Sequence, residues 1–307
     1  MTIGPDARAW LARHTGIPEA GLLLERLGGA TSSDLHRVRG PSDGPWFVAR
    51  VHTDQAWLGR EPDLAEHEAA ALDEAQRTGV PAPLPVAVGG PDDGFAGPVV
   101  LMTGLGGDVV LDPTDETSWI DGLAATLAEI HDHDAAEFDW VHRSWRRGGA
   151  VEPPPWSSHP DRWAEARRVL DGSEPEERAV FLHRDFHPTN ALWTGGRVSG
   201  VVDWLNACRG PAAVDVAHCR LNLALLRGPE AATAFLDAYV ARRPGHRQDR
   251  YWDLDAIADL GLPDPHWYPP WTEFGVVPEP AAVLRRRLDA HLAGVLGARR
   301  RDDGLRG

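Results

Sequence analysis

The sequence predicts an α+β protein in two lobes, an N-terminal five-stranded antiparallel sheet carrying one helix and a mainly helical C-terminal part. Three observations carry that prediction. Short apolar runs separated by turn residues fill the N-terminal third, helical periodicity takes over after Gly104-Leu105-Gly106-Gly107, and 307 residues are enough for one large domain or two modest ones. The lobes are therefore expected at 1–103 and 104–307.

The strand-like runs are Leu22–Leu27, Leu35–Arg39, Pro45–His52, Leu84–Val88 and Pro98–Thr103. A helix from Leu64 to Arg77, rich in Ala, Glu and Leu, interrupts them. It is stopped by Thr78-Gly79-Val80-Pro81, where glycine accepts the left-handed turn and proline cannot continue the helix. The C-terminal part opens with a helix over Ser118–His131, whose Ile120, Leu123, Leu127 and Ile130 fall on one face. Further helices are expected over Arg162–Leu170, Ala212–Leu226, Glu230–Arg242 and Ala281–Leu296. The Pro/Trp-rich stretches 153–160 and 263–280 read as ordered loops, and Arg299–Gly307 as a frayed tail.

The formal charge of −15 argues against general nucleic-acid binding, which needs cations to neutralise phosphates. It suits a cationic or neutral small-molecule partner, and it is equally accounted for by solubility alone. All 31 basic residues are arginine, so chemistry that requires lysine, such as a Schiff base or a Gly-x-x-x-x-Gly-Lys phosphate loop, is excluded. Apolar runs fall short of the roughly eighteen residues of a membrane span, and the first residues carry no signal-peptide pattern; a cytoplasmic protein without membrane contact is expected. Cys208 and Cys219 read as free buried thiols.

The chemistry concentrates in Leu182-His183-Arg184-Asp185-Phe186-His187-Pro188-Thr189-Asn190, followed by Val201-Val202-Asp203-Trp204. Apolar Ala179–Leu182 is strand-like, so the polar run emerges at a strand end. Gly195-Gly196 joins strand-like Ala191–Thr194 to Val198–Trp204, a hairpin that returns Asp203 towards Asn190. Asp185, Asn190 and Asp203 have the spacing of a phosphoryl-transfer site: a catalytic base followed by two oxygen ligands for Mg²⁺. His183 is expected to bond the loop backbone, because Mg²⁺ has little use for imidazole. His131-Asp132-His133-Asp134 reads as a solvated helix end.

With Gly210-Pro211-Ala212-Ala213-Val214-Asp215-Val216-Ala217, these motifs resemble the aminoglycoside phosphotransferase-like superfamily, which includes choline, homoserine and macrolide kinases. The resemblance implies a bilobal protein-kinase-like fold and covers nearly the whole chain. It implies that Gly28 and Gly29, with Ser32, cover an ATP or GTP molecule, and that Arg50 is the third-strand cation paired with Glu68 of the helix, Glu66 being second choice. Met102 and Thr103 would form the hinge that bonds the nucleotide base, and Asp215 would tie the catalytic loop to the C-terminal lobe.

Two departures from protein kinases bear on function. Arg50 stands where those enzymes use lysine, and Trp204-Leu205 replaces Phe-Gly with a helix beginning by Ala212. No room remains for a peptide-docking segment, so no protein substrate is expected, and Arg184 reads as an exposed loop residue. Acceptor-lining candidates are Asp161, Trp163, Asp253, Asp255, Trp267, Tyr268, Trp271 and Glu273, carboxylates for amines and indoles for sugars or cations. The acceptor stays open among aminoglycoside, other antibiotic, amino alcohol and sugar. A catalytically silent nucleotide binder and a hydrolase using Asp185 and His187 are the competing functions.

Overall fold

The computed structural model of the chain describes residues 3–28, 33–145, 152–260 and 264–297. Gly29, Ser32 and the expected tail Arg299–Gly307 lie outside them.

The chain begins with α1 (Pro5–Thr15), which has Pro5 and Asp6 in its first turn and is closed by Gly16 in the left-handed conformation. The strands β1 (Leu23–Leu27), β2 (Ser33–Arg39), β3 (Trp46–His52), β4 (Pro85–Gly89) and β5 (Val99–Thr103) form one antiparallel sheet in the order β1-β2-β3-β5-β4. Each coincides with an expected run to within two residues. Between β3 and β4 lie the short α2 (Gln55–Leu58) and α3 (Leu64–Ala75). Strand alternation decides what each face does. Ala49, Val51, Val99 and Leu101 pack with Trp10 and Leu11 of α1 on one side of the sheet. Val48, Arg50, Val100 and Met102 take the other side, where Val100 and Met102 join the main core with Ala65, Ala71 and Leu72 of α3. Arg50 thus points away from α1 because its register neighbours do.

The C-terminal part starts with β6 (Asp108–Val109) and α4 (Glu116–Ile130), whose N-cap Asp115 accepts from Ser118 N at 3.0 Å. There follow α5 (Pro160–Leu170), β7 (Ala179–Leu182), β8 (Ala191–Thr194), β9 (Arg197–Val201) and β10 (Cys208–Pro211). The last described elements are α6 (Ala212–Leu226), α7 (Pro229–Arg242), α8 (Arg250–Asp259), α9 (Pro269–Glu273) and α10 (Ala281–Gly297). β7 pairs with β10, and β8 lies between β6 and β9. Gly195 and Gly196, at φ 57° and 76°, supply the consecutive positive values that a two-residue hairpin turn needs.

The return strand is shorter than its apolar run predicts. β9 ends at Val201, Asp203 adopts the left-handed conformation (φ 70°, ψ 55°), and Trp204–Asn206 closes as a 3₁₀ turn. Burial of Trp204 against Phe181, ring centroids 5.7 Å apart and nearly parallel, turns the chain inward there. The His131–Asp134 expectation also needs correction. His131 is fully buried, and His133 Nε2 meets Glu74 Oε1 at 2.5 Å, so both rings fasten α4 to its surroundings. Both cysteines are free and buried. Among the described residues no helix is long and apolar enough to cross a membrane.

Trp10 is 3 % exposed and holds α1 on the sheet with an edge-on contact to Phe95. Trp10→Ala is expected to lower stability by about 3–5 kcal/mol, read as a reduced urea midpoint with unchanged slope.

Candidate active site

A buried carboxylate fixes the loop that follows β7. Asp215, in the first turn of α6, accepts from His183 N and Arg184 N, both at 2.8 Å, and from His131 Nε2 at 3.2 Å. Arg184 has φ 68°, a conformation that non-glycine residues reach only when their surroundings impose it. Here it turns successive N–H groups onto one carboxylate. Burial opposes the Asp215 charge, but the His131 bond together with the His183 backbone N–H outweighs it and holds the carboxyl below its ordinary range. Behind it, His131 Nδ1 accepts from the Tyr239 hydroxyl at 2.6 Å, carrying the anchor to α7.

His183 completes the loop as expected. Its Nε2 donates to Val202 O at 2.9 Å and its Nδ1 accepts from Asp185 N at 3.3 Å, so one neutral tautomer ties the loop to the strand that returns. Asp185 follows, its side chain 26 % exposed, with Oδ1 at 3.0 Å from His218 Nε2 and 3.7 Å from His187 Nε2. Burial pushes this carboxyl up, yet the His218 bond and the neighbouring rings of His187, His218 and His183 prevail and hold it far below the usual range. Asp185 is therefore ionised at neutral pH. Burial presses His187 down to about 4.

Asn190 Nδ2 donates to Asp185 O at 2.9 Å, which leaves Oδ1 as the amide atom free to take a cation. Val202 N donates to Asn190 O at 2.9 Å and brings the returning chain alongside. Asp203 then meets β3: Arg50 Nη1 lies 2.9 Å from Asp203 Oδ1, and Arg50 Nε lies 3.0 Å from Glu68 Oε1. The Glu68 contact is an ion pair by distance without hydrogen-bond direction, and His52 Nε2 stands 3.5 Å from the other oxygen. Burial raises the Asp203 carboxyl; Arg50 opposes the rise, while Asp185 and Glu68 add to it. A free amide oxygen beside a carboxylate crowded by other carboxylates is a donor set that fits a hard divalent cation such as Mg²⁺.

Asp185 opens onto a cleft of about 980 Å³ between the catalytic loop, α3, α6 and α8. Arg184 is part of its wall. It is 4 % exposed, with its guanidinium 3.6 Å from the centroid of Trp145 and 3.5 Å from Asp259 Oδ2, so the expectation of an exposed loop residue is wrong. Left-handed backbone and cation–π stacking turn it inward. Tyr268 and Trp271 line the cleft as expected, and the Tyr268 ring meets His187 edge-on at 5.9 Å.

Residues 23–252, about three quarters of the chain, match the model of the phosphotransferase enzyme family. The chain belongs to that family. The homoserine kinase of Chelativorans sp. (strain BNC1) is 29% identical over 267 residues, covering 76% of this phosphotransferase and 71% of that protein. Among solved structures, an aminoglycoside phosphotransferase in ternary complex with ADP and hygromycin B has a TM-score of 0.59 at 18% identity, covering 93% of this chain and 97% of that one. The choline kinase of Cryptosporidium parvum Iowa II has a TM-score of 0.55 at 12% identity, covering 97% and 96%. The family match makes the chain a phosphotransferase, and the likeness to these solved structures shows the bilobal kinase-like α+β fold.

Within the phosphotransferase, several expected contacts fall elsewhere. Asp161 is exposed in the first turn of α5 and does not line the cleft. Trp163 is buried and bonds Ser157 Oγ and Asp289 Oδ1 at 3.0 and 3.2 Å, Asp253 forms a buried pair with Arg220, and Asp255 accepts from Ser144 Oγ. Helical phase turns these three groups into packing rather than towards an acceptor. Trp267 is outside the lining and donates to Thr272 Oγ1 at 2.9 Å. Glu273 does not line it either: its Oε2 stands 2.7 Å from where a Cβ on Gly28 would be, so it crosses to the glycine loop. At the hinge, Met102 lies between Val48 and Pro85, whereas Thr103 N donates to Leu84 O at 2.9 Å and Gly104 N to Trp46 O at 2.8 Å. A base docked there meets N–H groups already in use, which the strand run alone did not reveal. His218 escaped the sequence reading. Its signal is a position one helical turn beyond Asp215 on the same face of α6.

Asp215→Ala is expected to destabilise the phosphotransferase by about 3 kcal/mol or more, since two backbone donors and His131 lose their acceptor, and a thermal melt measures it. Burial and Asp255 push the Asp259 carboxyl up to about 6. The folded state holds that proton after the unfolded chain, near 3.9, has released it. Stability from this group therefore falls as pH rises from about 4 to 6, and Asp259→Asn should flatten that part of the urea-midpoint profile.

Proposed function

We propose that the chain is an ATP- or GTP-dependent O-phosphotransferase acting on a hydroxyl of a small amine-bearing molecule. Residues 1–103 would form the nucleotide lobe and 104–307 the catalytic and acceptor lobe. The observation that carries the reading is the ionised Asp185 at the wall of the cleft, with Asn190 and Asp203 brought alongside it by the hairpin.

In this reading the acceptor hydroxyl donates to Asp185 and is aimed at the terminal phosphorus. The new O–P bond forms as the bond to the departing nucleoside diphosphate breaks, and the hydroxyl proton passes to Asp185. Asn190 Oδ1 and Asp203 would hold Mg²⁺, which neutralises phosphate charge when bound. Arg50, kept in place by Glu68, supplies the cation that lysine would, and its planar fork can engage two phosphate oxygens. Asp185, Asp259, Asp139 and Glu61 in the cleft wall favour an ammonium, while Arg184 and Arg143 offer partners for an anion or hydroxyls. The homoserine kinase relatives favour an amino alcohol of metabolism, and the structural likeness to an antibiotic kinase extends the same chemistry to aminoglycosides.

Screening ATP and GTP against amino alcohols, choline, aminoglycosides and sugars should reveal a phosphorylated product. Asp185→Ala is expected to reduce transfer by about 10²–10⁴-fold, measured as nucleoside diphosphate release. Full activity in that variant would refute the mechanism. One observation favours a silent nucleotide binder instead: Asp203 is held by Arg50 at 2.9 Å. Absence of single-turnover transfer across the panel despite nucleotide binding would favour it.

A further inference from the structure

Two histidine ring nitrogens and one carboxylate oxygen converge on the acceptor side of the loop. Asp185, His187 and His218 each offer a ligand atom, and these atoms all lie within 4.8 Å of one another. The measured separations from Asp185 Oδ1 are 3.0 Å to His218 Nε2 and 3.7 Å to His187 Nε2. Ligands of a tetrahedral Zn²⁺, bound at about 2.0–2.1 Å, stand about 3.3 Å apart, a value these two distances bracket.

Neighbouring amides pack against both rings. Asn190 Nδ2 bonds Asp185 O at 2.9 Å and also approaches His187 Nε2 at 3.3 Å. Asn222 Nδ2 bonds His218 O at 3.0 Å and approaches His218 Nε2 at 3.2 Å. His218 Nε2 stands 3.0 Å from Asp185 Oδ1 and donates to it, so a cation held by the three groups takes the place of that proton.

The residues also provide the right softness and access. Two imidazoles and one carboxylate suit Zn²⁺ better than Mg²⁺, which prefers oxygen, and the donors proposed for Mg²⁺, Asn190 Oδ1 and Asp203, are different atoms. Asp185 and His218 keep 26 % and 19 % of their side-chain surface, so the fourth position opens into the acceptor cleft. His187 comes from the catalytic loop and His218 from α6, two elements that Asp215 locks together, so the site is preformed.

We propose that Asp185, His187 and His218 form a three-ligand site for a Zn²⁺-type ion, and that its occupation withdraws Asp185 from the acceptor hydroxyl and switches transfer off. The inhibitory half rests on Asp185 being the base; the binding half does not. The proton that His218 donates to Asp185 leaves on binding, and the two weak amide contacts are exchanged for metal bonds.

Calorimetry of the full chain with Zn²⁺ alone should show one ion per chain at micromolar concentration, absent in His187→Gln and in His218→Gln. Glutamine preserves size and a donor towards Asp185, and thermal melts establish that both variants fold. Co²⁺ in place of Zn²⁺ should give the intense visible bands of a four-coordinate site in the unmodified chain only. In transfer assays at buffered free Zn²⁺ and saturating Mg²⁺, micromolar zinc should lower the rate at least tenfold and a chelator restore it; the ratio of rates with and without zinc should approach one in His218→Gln. Zinc binding that persists unchanged in both folded variants, or the lack of any micromolar site, overturns the proposal. Zinc that binds through both histidines while transfer continues overturns the switch, and the Asp185→Ala transfer assay separately decides whether Asp185 is the base.

Discussion

The Asp215 carboxylate is the interaction on which the site depends. It is wholly buried, and it gathers the His183 and Arg184 N–H groups and the His131 ring onto one pair of oxygens. A buried charge is tolerable only when its lone pairs are met, and this one is met almost entirely by the loop it positions. That requirement imposes the left-handed Arg184, turns its side chain onto Trp145, and aims Asp185 into the cleft. Through His131 and Tyr239 the same carboxylate ties the loop to α4 and α7.

A second set of contacts joins the sheet to this anchored loop. Arg50 reaches from β3 to Glu68 on α3 and to Asp203 beyond the hairpin. Parallel to it, His67 of α3 bonds Ala207 O at 2.6 Å and stacks on Trp140 at 4.4 Å. The helix is therefore held to the C-terminal part by a neutral bond and an aromatic face as well as by charge. In a chain without lysine, a guanidinium is the only strong cation available for this place, and its several donors let it serve two carboxylates at once.

Much of this was legible in the sequence, for physical reasons. The five strands are short apolar runs bounded by turn residues, and Gly195-Gly196 has no better use than a tight hairpin, so the nearness of Asn190 and Asp203 follows from spacing alone. What the sequence concealed is orientation. α1 has a short apolar set interrupted by arginines, and only the waiting sheet face explains it. Arg184 looked exposed because residue type says nothing about a left-handed backbone. Asp161, Trp163, Asp253, Asp255, Trp267 and Glu273 were plausible for an acceptor by chemistry, but helical phase, and for Trp267 its bond to Thr272, sends them to solvent, to packing or to Gly28. His218 was hidden for the opposite reason: it belongs to a helix whose nearly uniform burial masks which face meets the loop.

The proposed mechanism requires Arg50, Asn190 and Asp203 to receive the nucleotide phosphates and their cation while Asp185 faces the acceptor. A crystal structure of the chain with Mg²⁺ and a non-hydrolysable ATP analogue tests it most directly. Arg50 is expected on the phosphates with Glu68 still beside it, and Asn190 Oδ1 and Asp203 on the metal. Phosphates bound away from Arg50, with Asp203 still paired to its guanidinium and no metal on Asn190, would contradict it.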